Sequence, residues 1–127
     1  FGHINMYYGS KRFTKNDLSW LLPDSKSHQS GINLPLSDFE KLFPEITRME
    51  GSPRLAFQVS WFDKVGEEFA KTENDVVWYN SKSELRILQI RSVGLTERAD
   101  VGDILRISRN GRFLRAEILK PQRFLPR

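Results

Sequence analysis

Three polar clusters in the sequence carry side chains that can form paired hydrogen bonds, and each lies in or beside a predicted loop. They span residues 11–16, 27–33 and 80–86. In the major groove of DNA, Arg and Lys match guanine, Asn and Gln match adenine, and Glu can accept from the cytosine amino group. The candidate DNA-binding residues are Lys11, Arg12, Lys15, His28, Gln29, Asn33, Asn80, Ser81, Lys82, Glu84 and Arg86. The same residue types are typical of ordinary polar loops, so these clusters alone leave both interpretations open.

Catalytic motifs of nucleases do not fit the sequence. A metal-dependent restriction fold needs one acid and then a second acid two residues before a Lys, so that the carboxylates hold Mg²⁺. Only Lys26 has an acid at that spacing, and its Asp24 would have to fill both roles. A phosphodiesterase of the His-x-Lys type is not supported either, because neither His3 nor His28 has a Lys two residues later. We therefore expect no catalytic residues, no metal and no cofactor.

Composition limits the class of protein. The chain has 127 residues, 39% of them apolar, and no Cys, which excludes disulfides and thiolate sites. No apolar run approaches the roughly 18 residues of a membrane span. We expect one soluble intracellular domain covering residues 1–127. Its start at Phe1 suggests a fragment of a larger protein.

Positive charge is concentrated towards the end of the sequence. The balance is +2 for residues 1–37, −4 for residues 38–75 and +6 for residues 76–127. This asymmetry predicts a basic face formed by the two ends of the chain, either for binding nucleic acid or merely solvated. Two interpretations are open for six arginines, contact with phosphates or exposure to solvent: Arg106, Arg109, Arg112, Arg115, Arg123 and Arg127.

The first half of the chain is predicted to contain extended segments and one helix. Residues 3–9 and 11–18 are expected to be extended. Residues 36–43 carry an apolar stripe that predicts a helix, with Ser37 and Glu40 at capping-box spacing and Pro44 as its stop. Residues 54–63 alternate between apolar and polar side chains, which predicts a strand with one buried face.

The second half is predicted to contain two strand pairs. Residues 65–74 are acidic and favour a loop, whereas residues 75–80 and 85–91 favour paired strands. Residues 103–109 and 112–119 flank Asn110-Gly111, which predicts a hairpin with a type I′ turn. We assign the core face of this hairpin to Ile104, Leu105, Ile107, Phe113 and Ile118, and that of the preceding strand pair to Trp78. Six or seven strands with one or two short helices predict a small barrel or sandwich.

The second and third clusters resemble the effector domain of EcoRII-type restriction endonucleases, a relative of the plant B3 DNA-binding domains. One matching stretch is H-Q-S-G-I-N-L-P at residues 28–35, which continues into E-K-L-F-P at residues 40–44. Another is W-Y-N-S-K at residues 78–82, with E-L-R-I at residues 84–87. The resemblance covers roughly residues 7–91, and V-G-D-I-L-R-I from Val101 matches more loosely.

This resemblance implies a seven-stranded open β-barrel, a B3-like pseudobarrel, with short helices at its ends and two arms that grip the major groove. Lys11, Arg12, His28, Gln29 and Asn33 would lie in or beside the first arm. The second arm would contain Asn80, Ser81, Lys82, Glu84 and Arg86. This second arm is shorter than in the family, and Asn33 stands where the family has an aromatic residue, so we expect a different target sequence.

The expected function is sequence-specific binding of double-stranded DNA, as the target-recognition or effector domain of a type II restriction endonuclease in the bacterial cytoplasm. Its partners would be DNA and a nuclease domain of the same polypeptide, with no membrane involved. One alternative is a barrel that stacks single-stranded nucleic acid on Tyr7, Tyr8, Phe13 or Trp20. Another is a small stand-alone nuclease.

Overall fold

A computed structural model describes residues 7–22 and 31–121, and these form one curved sheet of seven strands. The strands are β1 (Tyr8–Arg12), β2 (Ile32–Leu34), β3 (Arg54–Phe62), β4 (Glu68–Tyr79), β5 (Glu84–Ile87), β6 (Ile104–Asn110) and β7 (Phe113–Leu119). Two short helices, α1 (Lys15–Trp20) and α2 (Leu36–Phe39), lie between β1 and β3. Short 3₁₀ turns occupy Asn80–Lys82, Arg91–Val93 and Leu95–Glu97.

The sheet runs in the order β1-β6-β7-β3-β4-β5-β2 and curls into a nearly closed barrel. Neighbouring strands are antiparallel except β3 and β7, which are parallel. The alternating pattern of residues 54–63 directs Phe57, Val59 and Trp61 into the core, as the sequence predicts. The architecture is therefore the B3-like pseudobarrel that the sequence resemblance implied.

Helix α2 lies between the two edges of the open barrel. It contacts β1 at one edge and β5, the neighbour of β2, near the other. A Cβ atom on Gly9 of β1 would lie 2.5 Å from ring carbons of Phe39, so only glycine allows this approach. The backbone N–H of Ser10 donates to Asp38 at 3.2 Å. The helix thus covers the region where the sheet does not close on itself.

Several predictions about local structure are wrong. Residues 15–20 form α1 instead of continuing an extended segment, because Thr14 and Asp17 form a reciprocal capping box there. The helix expected over residues 36–43 ends at Phe39, and its N-cap is Pro35, without a side-chain hydrogen bond from Ser37. Most of the acidic segment 65–74 belongs to β4, where its charged side chains lie on the outer face of the sheet.

The final hairpin is confirmed, with two corrections. Residues 104–110 pair with residues 113–119, but the positive φ belongs to Gly111 and not to Asn110. Gly111 is therefore the first central residue of the turn, which is the pattern of type II′ instead of type I′. Leu105, Ile107 and Ile118 are fully buried, but Phe113 is 60% exposed and Ile104 is only partly buried. The strand alternation directs Phe113 to the outer face of the barrel.

Candidate nucleic-acid interface

The connection between β4 and β5 is an exposed, tightly folded turn. Asn80, Ser81 and Lys82 form a single 3₁₀ turn, and all three are exposed. Ser83 closes the turn with a φ of 51°. The indole Nε1 of the buried Trp78 donates to the Asn80 side-chain oxygen at 3.1 Å, so this turn is anchored to the core. The sequence prediction that Trp78 is a core residue is confirmed.

Strand β5 carries the polar side chains of the second arm on its outer face. Leu85 and Ile87 are fully buried, so the alternation places Glu84 and Arg86 on the opposite side. The Arg86 Nε and one terminal nitrogen donate to the same Glu84 oxygen, at 3.1 and 2.8 Å. The guanidinium carbon also lies 5.3 Å from the centre of the Tyr79 ring. Arg86 is therefore held by the carboxylate of Glu84, the preceding outward-facing residue of β5, and by the ring of Tyr79 on β4.

Strand β2 brings Asn33 directly beside this group. The antiparallel register pairs Asn33 with Arg86, Ile32 with Ile87 and Leu34 with Leu85. Ile32 and Leu34 are buried, so Asn33 lies on the same outward face as Arg86. Side chains at directly opposed positions of an antiparallel pair have their Cβ atoms only about 4.5–5.5 Å apart. The structure thus joins one residue of the second polar cluster to the centre of the third.

Lys11, Arg12 and Lys15 occupy β1 and the start of α1. The Lys11 ammonium is 3.3 Å from the Asp17 carboxylate, and the two side chains are only 10% and 5% exposed. Arg12 donates to the backbone oxygen of Gly102 at 3.2 Å and remains exposed, as does Lys15. Lys11 is therefore part of a largely buried ion pair within the domain, whereas Arg12 and Lys15 are accessible to a partner.

The end of α1 returns towards β5. A terminal nitrogen of Arg91, four residues after the end of β5, donates to the backbone oxygen of Trp20 at 3.1 Å. At the start of β2, a Cβ on Gly31 would lie 2.1 Å from the backbone oxygen of Ile87. His28 and Gln29 fall outside the described residues, so their predicted contacts stay predictions. The segment that carries them leads into β2 at the Ile87 end of β5, whereas the exposed turn lies at the Glu84 end.

The arginines of the final hairpin that the structure describes are mostly paired with acids. Arg109 makes hydrogen bonds to Glu45 and to the backbone oxygen of Leu42. Arg106 and Arg115 both approach Glu117. Arg112 is exposed in the turn. These contacts support the sheet itself, so the hairpin arginines are weaker candidates for phosphate contact than the sequence suggested.

The groups whose pKa is shifted lie away from the outer face of β5. A hydrogen bond from Arg109 lowers the pKa of Glu45. Hydrogen bonds to Asp103 and Asp100 raise the pKa of Lys64. Burial opposes ionisation of Asp103, but hydrogen bonds from Lys64 and from the Asp100 backbone outweigh it, and its pKa is lowered. These shifts identify ion pairs that tie loops to the barrel, not an acid–base site.

Other chemistries find little support in the described part of the chain. Across residues 7–22 and 31–121, no group of three His, Asp or Glu side chains could hold a metal ion. Within the same ranges, none of the helices has the length and apolar character to cross a membrane. Phe13 is 1% exposed, so the expectation that it stacks on bases is wrong. Tyr7 and Tyr8 are exposed, and Tyr8 lies under the Arg106 guanidinium.

Sequence reasoning missed two contributors to the outer face. Tyr79 was not among the candidate residues, yet it pairs with Glu84 across β4 and β5, and its ring lies 5.3 Å from the Arg86 guanidinium. The pairing of Glu84 with Arg86 was also missed, although residues two apart in a strand lie on the same face. The two-residue spacing of Glu84 and Arg86 was therefore the signal in the sequence that could have predicted the pair.

Comparisons with known proteins identify the fold. No protein-family model matches the sequence. A search of curated proteins also finds no match. Among solved structures, a complex of Arabidopsis FUS3 with DNA matches 93% of this chain and 100% of its own, with a TM-score of 0.59 and 13% sequence identity. That neighbour is a B3 DNA-binding domain with a barrel-like sheet. At this identity the likeness establishes the fold alone.

Proposed function

We propose that this chain binds double-stranded DNA in a sequence-specific manner, with the outer face of β5 and β2 and the Asn80–Lys82 turn entering the major groove. The observation that carries the proposal is the pairing of Asn33 with Arg86 on one outward face. These are side chains of the types that read adenine and guanine. A structural neighbour with the same fold was solved in complex with DNA, which adds support.

The dimensions of this face suit a groove. Successive nucleotides of one DNA strand are about 3.4 Å apart along the duplex axis. This distance is similar to the rise of about 3.3 Å per residue along a β-strand and comparable with the spacing between opposed side chains of neighbouring β-strands. Strand β5 advances about 10 Å from Glu84 to Ile87, close to the roughly 12 Å width of the major groove. The β2–β5 pair can therefore lie within the groove while its outward side chains contact bases.

We assign the phosphate contacts to exposed basic side chains outside the Asn33–Arg86 pair. Lys82 is exposed at the turn, and Arg12 and Lys15 are exposed near the start of α1. Phosphate contacts give affinity and salt dependence, whereas base contacts give sequence preference. In this arrangement the lysines and Arg12 position the duplex, and Asn33 and Arg86 read it.

The direct test is selection of bound duplexes from a random pool with the purified chain, followed by competition with the corresponding single strand. We expect a consensus site, tighter binding to duplex, and an affinity that falls steeply with salt. Recovery of no consensus would contradict sequence-specific reading. Tighter binding to the single strand would favour the alternative in which exposed aromatic residues such as Tyr7 stack on bases.

A finer proposal concerns the protein that uses this domain. From the matching stretches at residues 28–44 and 78–87, we infer a recognition or effector domain of a type II restriction endonuclease in the bacterial cytoplasm, linked to a nuclease domain in one polypeptide. The isolated chain should bind plasmid DNA in Mg²⁺ without cutting it. The complete gene product should cut plasmids that contain the selected site and spare those that lack it. Cutting by the isolated chain would instead indicate the stand-alone nuclease.

A further inference from the structure

The outer face of the barrel carries two neighbouring rows of side chains that cross four strands. One row, on β6, β7, β3 and β4 in turn, consists of Asn110, Phe113, Gln58 and Glu73. The next row, on the same strands, consists of Ser108, Arg115, Ser60 and Lys71. Residues two apart in a strand lie on the same face, about 6.6 Å apart, so each residue has a counterpart on its own strand in the other row. We call these two rows together the two-row face.

Phe113 is an exposed aromatic side chain at the edge of two grooves on this face. It is 60% exposed, and it borders one groove of about 420 Å³ and another of about 270 Å³. The smaller groove is also lined by Arg115, with the small side chains of Ser60 and Ser108 beside it. The Arg115 side chain is 53% exposed, and its guanidinium carbon lies 3.8 Å from the centre of the Phe62 ring. Protein interfaces commonly centre on an aromatic side chain that enters a pocket of the partner.

Lys71 and Glu73 place opposite charges at the β4 end of the two rows. The Lys71 side chain is 76% exposed, and its ion-pair contact is with Glu68 of the same strand, at the long distance of 4.0 Å. The Glu73 side chain is exposed and has no hydrogen-bond or ion-pair partner within residues 7–22 and 31–121. Arg115, in contrast, approaches Glu117 at 3.3 Å. The face therefore offers one positive and one negative charge that other strands do not neutralise.

We propose that a second copy of this chain binds the two-row face, so that the protein forms a symmetric dimer. In a dimer with two-fold symmetry, the same patch of each copy meets itself. When the axis lies across the strands, midway between the two rows, each residue faces the row counterpart of its own strand in the other copy. Lys71 then meets Glu73 of the second copy, and Phe113 meets Arg115 of the second copy. Both contacts occur twice and join complementary groups, opposite charges in one case and a ring with a guanidinium in the other.

The charges of this face favour a second copy over other partners. A uniformly acidic partner such as DNA would suit Lys71 and Arg115 but would bring like charge onto Glu73. A basic partner would be repelled by the two cations. Strand β5 pairs with Val76–Tyr79 of β4, beyond this pair of charges, so the dimer leaves the proposed DNA-reading face open. The dimer is therefore compatible with the proposed function and does not depend on it.

Sedimentation equilibrium of the purified chain, from micromolar to millimolar concentration, tests the proposal. We expect a reversible equilibrium between monomer and dimer that shifts towards monomer at high salt. Lys71→Glu and Glu73→Lys each place like charges opposite one another twice, so each should raise the dissociation constant at least about tenfold. Phe113→Ser should also raise it. Glu50→Lys reverses an exposed charge between α2 and β3 and serves as the control, which should leave the equilibrium unchanged.

Mixing the two charge variants gives the most specific readout. One chain then carries two acids at positions 71 and 73 and the other carries two lysines, so every contact between unlike chains is again attractive. We expect an equimolar mixture of Lys71→Glu and Glu73→Lys to dimerise about as well as the unsubstituted chain. This restoration would also show that both variants are folded, because an unfolded chain presents no such face.

Three results would overturn the inference. An unsubstituted chain that stays monomeric at millimolar concentration would show that the face does not bind a second copy. Charge variants that dissociate, with a mixture that stays monomeric, would show that Lys71 and Glu73 do not face one another. Assembly beyond the dimer would indicate head-to-tail contacts, which join two different patches. All three results can be obtained without DNA, so they are separate from a failure of the proposed function.

Discussion

Asn80 accepts a hydrogen bond from the indole Nε1 of Trp78 at the point where β4 becomes the exposed turn. Trp78 is 1% exposed, so removing the acceptor leaves a buried donor unsatisfied. We expect Asn80→Ala to lower the free energy of unfolding by about 1–3 kcal/mol, measured by urea denaturation with tryptophan fluorescence. Asn80→Asp keeps an oxygen acceptor and should lose less stability, but its negative charge should weaken DNA binding. Equal stability losses in both variants would contradict the role of this acceptor.

Arg86 should affect sequence preference, whereas Lys82 and a basic residue elsewhere on the barrel should not. Arg86→Ala should lose about 1–3 kcal/mol of discrimination between the selected duplex and a random one, and Lys82→Ala, which removes a phosphate contact, should weaken binding to both duplexes similarly. Arg115→Ala is the control, because β7 is three strands away from β5. It should change affinity for both duplexes equally or not at all. Fluorescence anisotropy at several salt concentrations measures both quantities, and equal losses on both duplexes for Arg86→Ala would argue against base reading.

The structure and the sequence prediction differ in which helix has a side-chain N-cap. Thr14 accepts from the backbone N–H of Asp17, and Asp17 accepts in return from that of Thr14. Thr14→Ala should therefore cost about 0.5–2 kcal/mol of stability. Ser37→Ala removes the residue expected from sequence to cap a helix, yet α2 has no side-chain cap, so little change is expected. Thermal unfolding of the two variants gives the comparison, and a larger loss for Ser37→Ala would reverse this assignment.

Gly31 controls how closely β2 approaches β5. A side chain there would meet the backbone oxygen of Ile87, which cannot move as freely as a side chain. We expect Gly31→Ala to displace β2, to cost about 1–3 kcal/mol or more, and to weaken preference for the selected site because Asn33 moves away from Arg86. Gly66→Ala, in an exposed turn with a φ of 85°, should cost stability without changing preference. If Gly31→Ala left the preference for the selected site unchanged, β2 would have no part in reading the bases.

The ion pairs of Lys64 with Asp100 and Asp103 predict how stability depends on pH. Asp103 has a lowered pKa, so its contribution is present above the ordinary carboxyl value of 3.8 and is lost as the pH falls through the folded-state pKa below it. Lys64 has a raised pKa, so its contribution is present below 10.5 and is lost as the pH rises through the folded-state pKa above that value.

Lys64→Met should therefore lower stability by a nearly constant amount, about 1–3 kcal/mol, across the neutral range. The difference from the unsubstituted chain should shrink at both pH extremes. Urea denaturation between pH 3 and pH 11 is the measurement. A difference that stays constant into strong acid and strong base would contradict the assignment of these pairs.

Strands with clear period-two alternation and the final hairpin were predictable from sequence, because their pattern reflects direct burial against one core. The alternation over residues 54–63 gave β3 almost to the residue. The acidic start of β4 was missed because its charges lie on the outer face, and its strand is fixed by pairing with β3 and not by its own composition. The short α1 was missed because six residues give too little periodicity.

The candidate site was predictable as residue types but not as partnerships. Nothing in the sequence pairs Asn33 with Arg86, since 53 positions separate them and the register depends on the whole sheet. The ion pair of Lys11 with Asp17 was equally invisible, because it depends on α1 turning back over β1. The family resemblance identified the polar segments, but only the strand register shows which of their residues lie next to one another.

The parallel contact between β3 and β7 affects the order in which the strands can join the sheet during folding. In the described part of the chain, β1 joins the sheet only through β6, and β6 connects to the remaining strands only through β7, so β1 can enter the complete sheet only after β6 and β7 have been made. Contacts between distant parts of a chain slow folding. Truncation before Phe113 would detach both β1 and β6 from the rest of the sheet, so the barrel cannot close until β7 has left the ribosome.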